Sequence, residues 1–351
     1  MMNASKKINS ITGLKAIAFI MIFISHLDRL SGYANGLGAA GVSVFIVISG
    51  VLMTVRHYEE TSSHYGILDN LKWGGVMYKK GIRRFYTLFL ITFIPAALLQ
   101  LHWLIKWPSA GGFYSAIKYA LSNLLLVNAF IPKGEYYFSY NAVSWYLCDI
   151  LFFYFITPFL LRWVKRLQEK SVLKQLLASI IFYNVIALVI YHLWPTSSHW
   201  CLYISPYTRT IDYVCGMLAG RLILDRKSDI QRDYNTLVEY MAWGIFIGLI
   251  VVYRYIPEYL RMAVVYLPFT LYIVYLCVGE IGQMQKLLSN KFLVTIGNIS
   301  MEAYLVHQIV IRYISGYSSE CAYLNDGQYY FFSISLTVII STFLKLIISK
   351  D

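Results

Sequence analysis

Apolar stretches of about 20 residues recur along almost the whole chain. They lie near 11–30, 38–56, 84–101, 113–131, 144–161, 175–194, 206–223, 236–253, 262–279, 293–313 and 329–348. Each has the length a helix needs to cross a hydrocarbon core roughly 30 Å thick. Inside lipid a chain must satisfy its own backbone hydrogen bonds, so such runs fold as helices and not as open sheet. The pattern therefore predicts an all-α integral membrane protein. With 58% hydrophobic and 14% charged residues and a mean hydropathy of +0.56, the composition agrees. The formal charge of +12 sits mostly in short loops between apolar runs, where orientation of membrane proteins accounts for it. No basic stripe on a soluble domain points to nucleic acid. No small-residue cleavage site follows the first apolar run, which reads as a span and not as a leader. Without repeats or low-complexity tracts, residues 1–351 read as one membrane domain.

Loop charge sets the expected topology. Eleven crossings would separate the termini, but the basic residues argue for ten. Lys6 and Lys7, the segment 56–84, "RWVKRLQEKSVLK" (162–174), 221–232, Lys286, Lys291 and Lys350 fall on one side. That side holds most of the 30 lysines and arginines and is assigned to the cytoplasm with both termini. Arg29, Lys106, Lys118, Lys133, Arg209, Arg254, Arg261 and Arg312 fall on the other. The partition requires segment 113–131 to dip in or lie flat instead of crossing. The largest loop, 57–81, carries "WGGVMYKKGIRR" across its end and reads as an interfacial element. Of the five cysteines, Cys148, Cys215 and Cys277 fall within apolar runs and read as small buried hydrophobes. Cys201 and Cys321 fall in loops, and would pair only if both face an oxidising compartment.

Ionisable groups inside spans are costly, which makes them functional candidates. In "GLKAIAFIMIFISHLDRL" (13–30), Lys15 and His26 are eleven residues apart. On a helix that spacing puts them within about 20° of one face and roughly 16 Å apart along the axis. Lys15 then snorkels to the inner headgroups while His26 bonds a carbonyl, or the two form a polar track through the membrane. Asp149, Arg209 and Asp212 lie in the outer halves of their spans. Arg209 and Asp212 are i, i+3 neighbours able to pair with each other. Glu302 and His307 are placed in the inner part of a late span. His57, His64, His102, His192 and His199 show no metal-ligand spacing, and neither a phosphate loop nor HExxH is present.

Six fragments in order resemble the membrane-bound acyltransferase family 3, which includes polysaccharide O-acetyltransferases. Lys15, ten residues and then His26 fit the family's first span. "GVSVFIVISGVLM" (41–53) is similar to its second span, and "KKGIRRFYTLFLI" (79–91) to its basic entry to the third. "SWYLCDILFFYFITPFLL" (144–161), "RTIDYVCGMLAG" (209–220) and "IGNISMEAYLVHQ" (296–308) resemble later signatures. Departures are Ser43 where an acidic residue is frequent, Thr87 in place of a proline, and Gly81 at the first position of the usual RxxR. Asp149 also stands one position before the glutamate that some members carry.

The resemblance implies transfer of an acyl group, usually acetyl, from cytoplasmic acyl-CoA to a hydroxyl of a carbohydrate at or beyond the membrane. No permanently bound cofactor is implied, and the setting is the cytoplasmic membrane of a bacterial cell. On this reading Lys15, Lys80, Arg83 and Arg84 meet the donor's phosphates, for which arginine forks are suited. His26 serves as general base or acyl carrier, with Asp149 as its orienting carboxylate. Arg209 is a candidate for the oxyanion or acceptor site, and Ser49 and Trp145 shape the tunnel. Plainer readings stand beside these. Ser49 packs helices next to Gly50, Trp145 belongs to an interfacial belt, and Arg83 and Arg84 only fix topology. A transporter or flippase is the alternative function, although such folds commonly repeat their halves and none repeats here.

Overall fold

The computed structural model describes residues 8–30, 36–61, 66–108, 111–226, 234–261, 264–320 and 323–348. Among them no β-strand occurs, and the apolar runs are helices. The order is α1 (Asn9–Ser25), α2 (Leu37–His57), α3 (Ile67–Lys106), α4 (Gly112–Leu124), α5 (Gly134–Tyr137), α6 (Trp145–Arg166) and α7 (Glu169–Leu193). Then follow α8 (Pro206–Asp225), α9 (Thr236–Val251), α10 (Glu258–Arg261), α11 (Leu267–Gly279), α12 (Gln283–Leu288), α13 (Lys291–Asn298), α14 (Ser300–Glu320) and α15 (Asp326–Ile348). Five of these, α2, α3, α6, α7 and α15, are long and apolar enough to cross a membrane. Helices α8 and α14 have the length but carry Arg209, Asp212, Glu302 and His307, which dilute their apolar character. Polar groups that a purely lipid-facing helix would not tolerate are placed inside the bundle.

Helix α2 is the spine, with α1 on one side and α8 on the other. Small residues let the backbones touch. A Cβ on Gly50 would overlap the carbonyl of Tyr213, and one on Gly216 would come within 2.5 Å of the Val47 carbonyl oxygen. Close backbone approach of this kind supplies the van der Waals attraction that holds helices together in lipid, where burial from water contributes little. Around the spine, α3 packs on α6, α7 and α6 pack on α8, and α15 packs on α14.

Three expected segments differ in the structure. The third span does not start at residue 84. Its helix runs 40 residues, about 60 Å and twice the hydrocarbon thickness. "WGGVMYKKGIRR" belongs to the N-terminal half of that helix and is not a separate loop element. Gly74, Gly75 and Gly81 lower its helical propensity without ending it, and Pro95 is accommodated inside the helix as well. The late span expected at 293–313 is two helices, because Ile299 interrupts it between α13 and α14. Helix α13 lies against α1, where Gly297 sits against the Thr12 carbonyl.

Segment 113–131 is the third. It forms α4, 13 residues and about 20 Å long, followed by irregular chain with a short 3-10 turn at Asn128–Phe130. That helix is shorter than a hydrocarbon core is thick. Backbone carbonyls left outside regular helix need partners, and side chains supply some of them. Tyr86 donates its hydroxyl to the Leu124 carbonyl at 2.9 Å, Trp200 Nε1 donates to the Ala129 carbonyl at 2.9 Å, and, within α4, the Tyr140 hydroxyl donates to the Ala116 carbonyl at 2.8 Å. Lys6, Lys7, Lys350, His64 and Cys321, hence the termini and the Cys201–Cys321 pairing, lie outside the described residues.

Candidate active site

A cavity of about 1190 Å³ opens between α1, α2, α3, α6, α14 and α15. Its described lining carries six cations: Lys15, Arg56, Lys80, Arg83, Arg84 and Lys345. Glu302 is the one carboxylate among the described lining residues. The other end is aromatic. Phe45, Tyr146 and Tyr304 line it, with ring centroids 5.3 Å apart for Tyr146–Tyr304, 6.3 Å for Phe45–Tyr146 and 6.4 Å for Phe45–Tyr304. Phe45 and Arg56 are eleven residues apart on α2, so the aromatic and basic ends are separated by roughly 16 Å along that helix.

Helix geometry decides which groups face this space. Tyr146, Ile150 and Tyr154 recur at i, i+4 and i+8 on α6, and all three line the cavity. Arg83 and Arg84 sit exposed on the long helix α3, where Lys80 precedes them by one turn. Ser49 lines the wall with its hydroxyl donated to the Phe45 carbonyl at 2.9 Å. Four expected donor-binding residues, Lys15, Lys80, Arg83 and Arg84, therefore share one cavity with Ser49.

His26 lies just past the C-terminal end of α1, beyond the aromatic end of the cavity. Its partner is His307. The imidazoles are 5.0 Å apart between centroids, and His26 Nδ1 is 3.3 Å from His307 Nε2. His26 Nδ1 is also 2.9 Å from the Ile22 carbonyl oxygen. His307 Nδ1 is 2.7 Å from the Tyr304 carbonyl oxygen and 3.2 Å from that of Ala303. A carbonyl only accepts, so each Nδ1 carries a proton. His307 Nε2 is then a lone pair facing the His26 Nδ1–H, and His26 Nε2 is left with a lone pair of its own. A neutral His26 with its basic nitrogen directed away from His307 is the form a general base requires. Phe19 and Phe23 pack edgewise or tilted on His307 at 5.8 and 6.1 Å, and Tyr304 joins it to the aromatic end of the cavity at 5.9 Å.

Asp149 and Arg209 lie elsewhere. Both are 0% exposed, as is Asp212. Arg209 Nη1 pairs with Asp212 Oδ2 at 2.7 Å, Nη2 reaches Ser43 Oγ at 3.5 Å, and the guanidinium lies 5.8 Å from the Tyr203 ring. The plain i, i+3 pairing anticipated for Arg209 and Asp212 is thus present. Asp149 lies in the electrostatic field of these two groups, and neither of its carboxylate oxygens has a hydrogen-bond partner. Among the described residues no hydrogen bond joins Asp149 to His26. Trp145 is buried and does not line the cavity; it backs Tyr146 and packs on Tyr203 at 5.2 Å. Sequence reasoning did not select Arg56, Lys345, Tyr146 or Tyr304, and it left His307 without a role. The available signal for His307 was an ionisable residue inside an apolar run in "YLVHQ".

Such a helical bundle is that of a multi-pass membrane protein. The chain belongs to acyltransferase family 3: the family's model, described as an acyltransferase domain, matches residues 8–346. It is similar to "Acyltransferase MdmB" of Streptomyces mycarofaciens, 21% identical over 328 residues, which cover 88% of this chain and 80% of that protein. No solved structure matches it. The cavity and the histidine pair accordingly belong to an acyltransferase.

Proposed function

We propose that the protein moves an acetyl or other acyl group from cytoplasmic acyl-CoA to a hydroxyl of a carbohydrate, a cell-surface polysaccharide or its lipid-linked precursor. The setting is a bacterial cytoplasmic membrane crossed ten times, with both termini inside. The observation that carries this reading is the cavity itself. It gathers cations at one end, where a polyanionic carrier needs them, and its aromatic end adjoins the histidine pair. Guanidinium forks of Arg83 and Arg84 suit phosphate oxygens, and the pantetheine arm extends from them toward Tyr146 and Tyr304.

At the far end His26 Nε2 accepts the proton of the acceptor hydroxyl. The freed oxygen attacks the thioester carbonyl, the C–S bond breaks, and the departing thiolate takes the proton from His26. His307 performs the orienting role that the sequence suggested for Asp149, by accepting from the His26 Nδ1–H. Arg209, with Asp149 and Asp212, places charge behind Tyr203 and Trp145.

Incubating membranes with acetyl-CoA labelled in the acetyl group tests the reading. Label should enter carbohydrate and require His26. Carbohydrate that moves across the membrane but takes up no label would identify a flippase instead. Replacing both arginines, Arg83→Gln with Arg84→Gln, should raise the KM for acyl-CoA about 10-fold or more, the equivalent of roughly 1.5 kcal/mol in all once solvent screening of these exposed groups is counted. Their effect on kcat should be small. His307→Asn should lower kcat about 100-fold, the cost of a base displaced by an ångström or so, with the donor KM unchanged. An unaltered kcat would assign His307 to packing alone.

A further inference from the structure

The carboxylate in the basic cavity is out of keeping with a site for a polyanion. Glu302 belongs to the first turn of α14, where the helix dipole favours negative charge. One oxygen, Oε1, accepts from Lys345 Nζ at 3.0 Å, while Oε2 is buried with no hydrogen-bond partner. Glu302 is 8% exposed at its side chain and Lys345 41%. Lys345 thus reaches from the last turns of α15 into the cavity wall, carrying three donors on a flexible stem and using one of them on Glu302. The ammonium lines the same cavity as Lys15, Arg56, Lys80, Arg83 and Arg84.

Six cations without an opposing charge would hold acyl-CoA and spent CoA alike. Binding the two equally lowers KM without helping the chemical step, and it retards product release. We propose that Lys345 binds phosphate of the CoA carrier, and that Glu302 fixes Lys345 in place while weakening the site enough for spent CoA to leave. This rests on the reading of acyl-CoA as donor. A mere structural pin between α14 and α15 predicts something different: either single replacement would loosen the cavity and weaken binding.

The test is equilibrium binding of CoA itself to the purified full-length protein in lipid nanodiscs, together with pre-steady-state turnover of acetyl-CoA. Glu302→Gln should tighten CoA binding about 5-fold or more, in keeping with removal of a like charge from a binding site. It should also slow steady-state turnover while leaving a burst of first-turnover product. Lys345→Met exposes the buried carboxylate and should weaken CoA binding about 10-fold or more. Combining the two should return binding to within about 3-fold of the unsubstituted protein. Unchanged or weaker binding in Glu302→Gln overturns the proposal, as does a double variant no better than Lys345→Met. Should Glu302→Gln not fold, Lys345→Met decides through its salt dependence: loss of a phosphate contact should flatten the fall of CoA binding with ionic strength, and an unchanged slope overturns the proposal. Absence of CoA binding by the unsubstituted protein would overturn the donor assignment as well.

Discussion

Replacing His26 with alanine is expected to reduce acyl transfer by about 10²–10⁴-fold, the range attributed to a well-placed general base, while the amount of protein in the membrane stays the same. Two features support a selective effect on chemistry. His26 stands after the last residue of α1, so its loss does not interrupt the helix. Its hydrogen bonds run to the Ile22 carbonyl and to His307, and neither ties distant helices as tightly as the glycine contacts of α2 and α8. The measurement is incorporation of labelled acetyl per mole of protein, with abundance followed by immunoblot. Full transfer by His26→Ala would remove the residue from the mechanism. His26→Gln refines the result, because glutamine keeps a polar contact but cannot accept the acceptor's proton at neutral pH. It should be as inactive as alanine.

The other large effect concerns stability. Arg209→Ala should destabilise the fold by about 3–5 kcal/mol, the cost of breaking a buried ion pair and leaving its partner charged. Asp212 would lose its 2.7 Å partner, and Asp149, already without a hydrogen bond, would lose the positive field beside it. Adding Asp212→Asn to Arg209→Ala should restore much of the loss, since the stranded charge is then gone. Thermal unfolding of the detergent-solubilised protein measures both. A double variant as unstable as the single would show that the guanidinium acts through its packing and neutral contacts, Tyr203 and Ser43 among them, and not through charge.

The membrane architecture was open to reading because backbone hydrogen bonding in lipid leaves so few choices, and apolar length records the result directly. Depth was harder. His307 is expected in the inner part of a span, yet counted from residue 293 it stands 14 residues, about 21 Å, along the run, which is the outer part. Gly297 against the Thr12 carbonyl sets the register of the two segments, and from there both chains run on until His307 meets His26. Facing was harder still, as helix α6 illustrates. Tyr146, Ile150 and Tyr154 face the cavity, while Asp149, about 100° round the same helix from Ile150, lies toward Arg209 on α8. Helical periodicity fixes the angle between these faces but not which of them meets a neighbouring helix.

The same holds for charge at span ends. Arg56 and Lys345 look like ordinary boundary residues, and nothing in the pattern tells a cation turned into a cavity from one turned to headgroups. The departures from the family's motifs are easier to understand in space. Ser43, where an acidic residue is frequent, touches Arg209, which has Asp212 as its carboxylate partner instead. Thr87, in place of a proline, lies on the cavity wall within an unbroken stretch of α3.

The contact of Gly50 with α8 and of Gly216 with α2 has a mechanical consequence. Where backbone meets backbone there are no rotamers to rearrange, so the two helices move as a single stiff beam. Helix α2 carries Phe45, Ser49 and Arg56 to the cavity, and that wall is therefore unyielding. Any breathing that opens or closes the cavity falls to the opposite wall, where α3 and α15 present lysines and arginines on long stems. The enzyme has a fixed jaw and a compliant one.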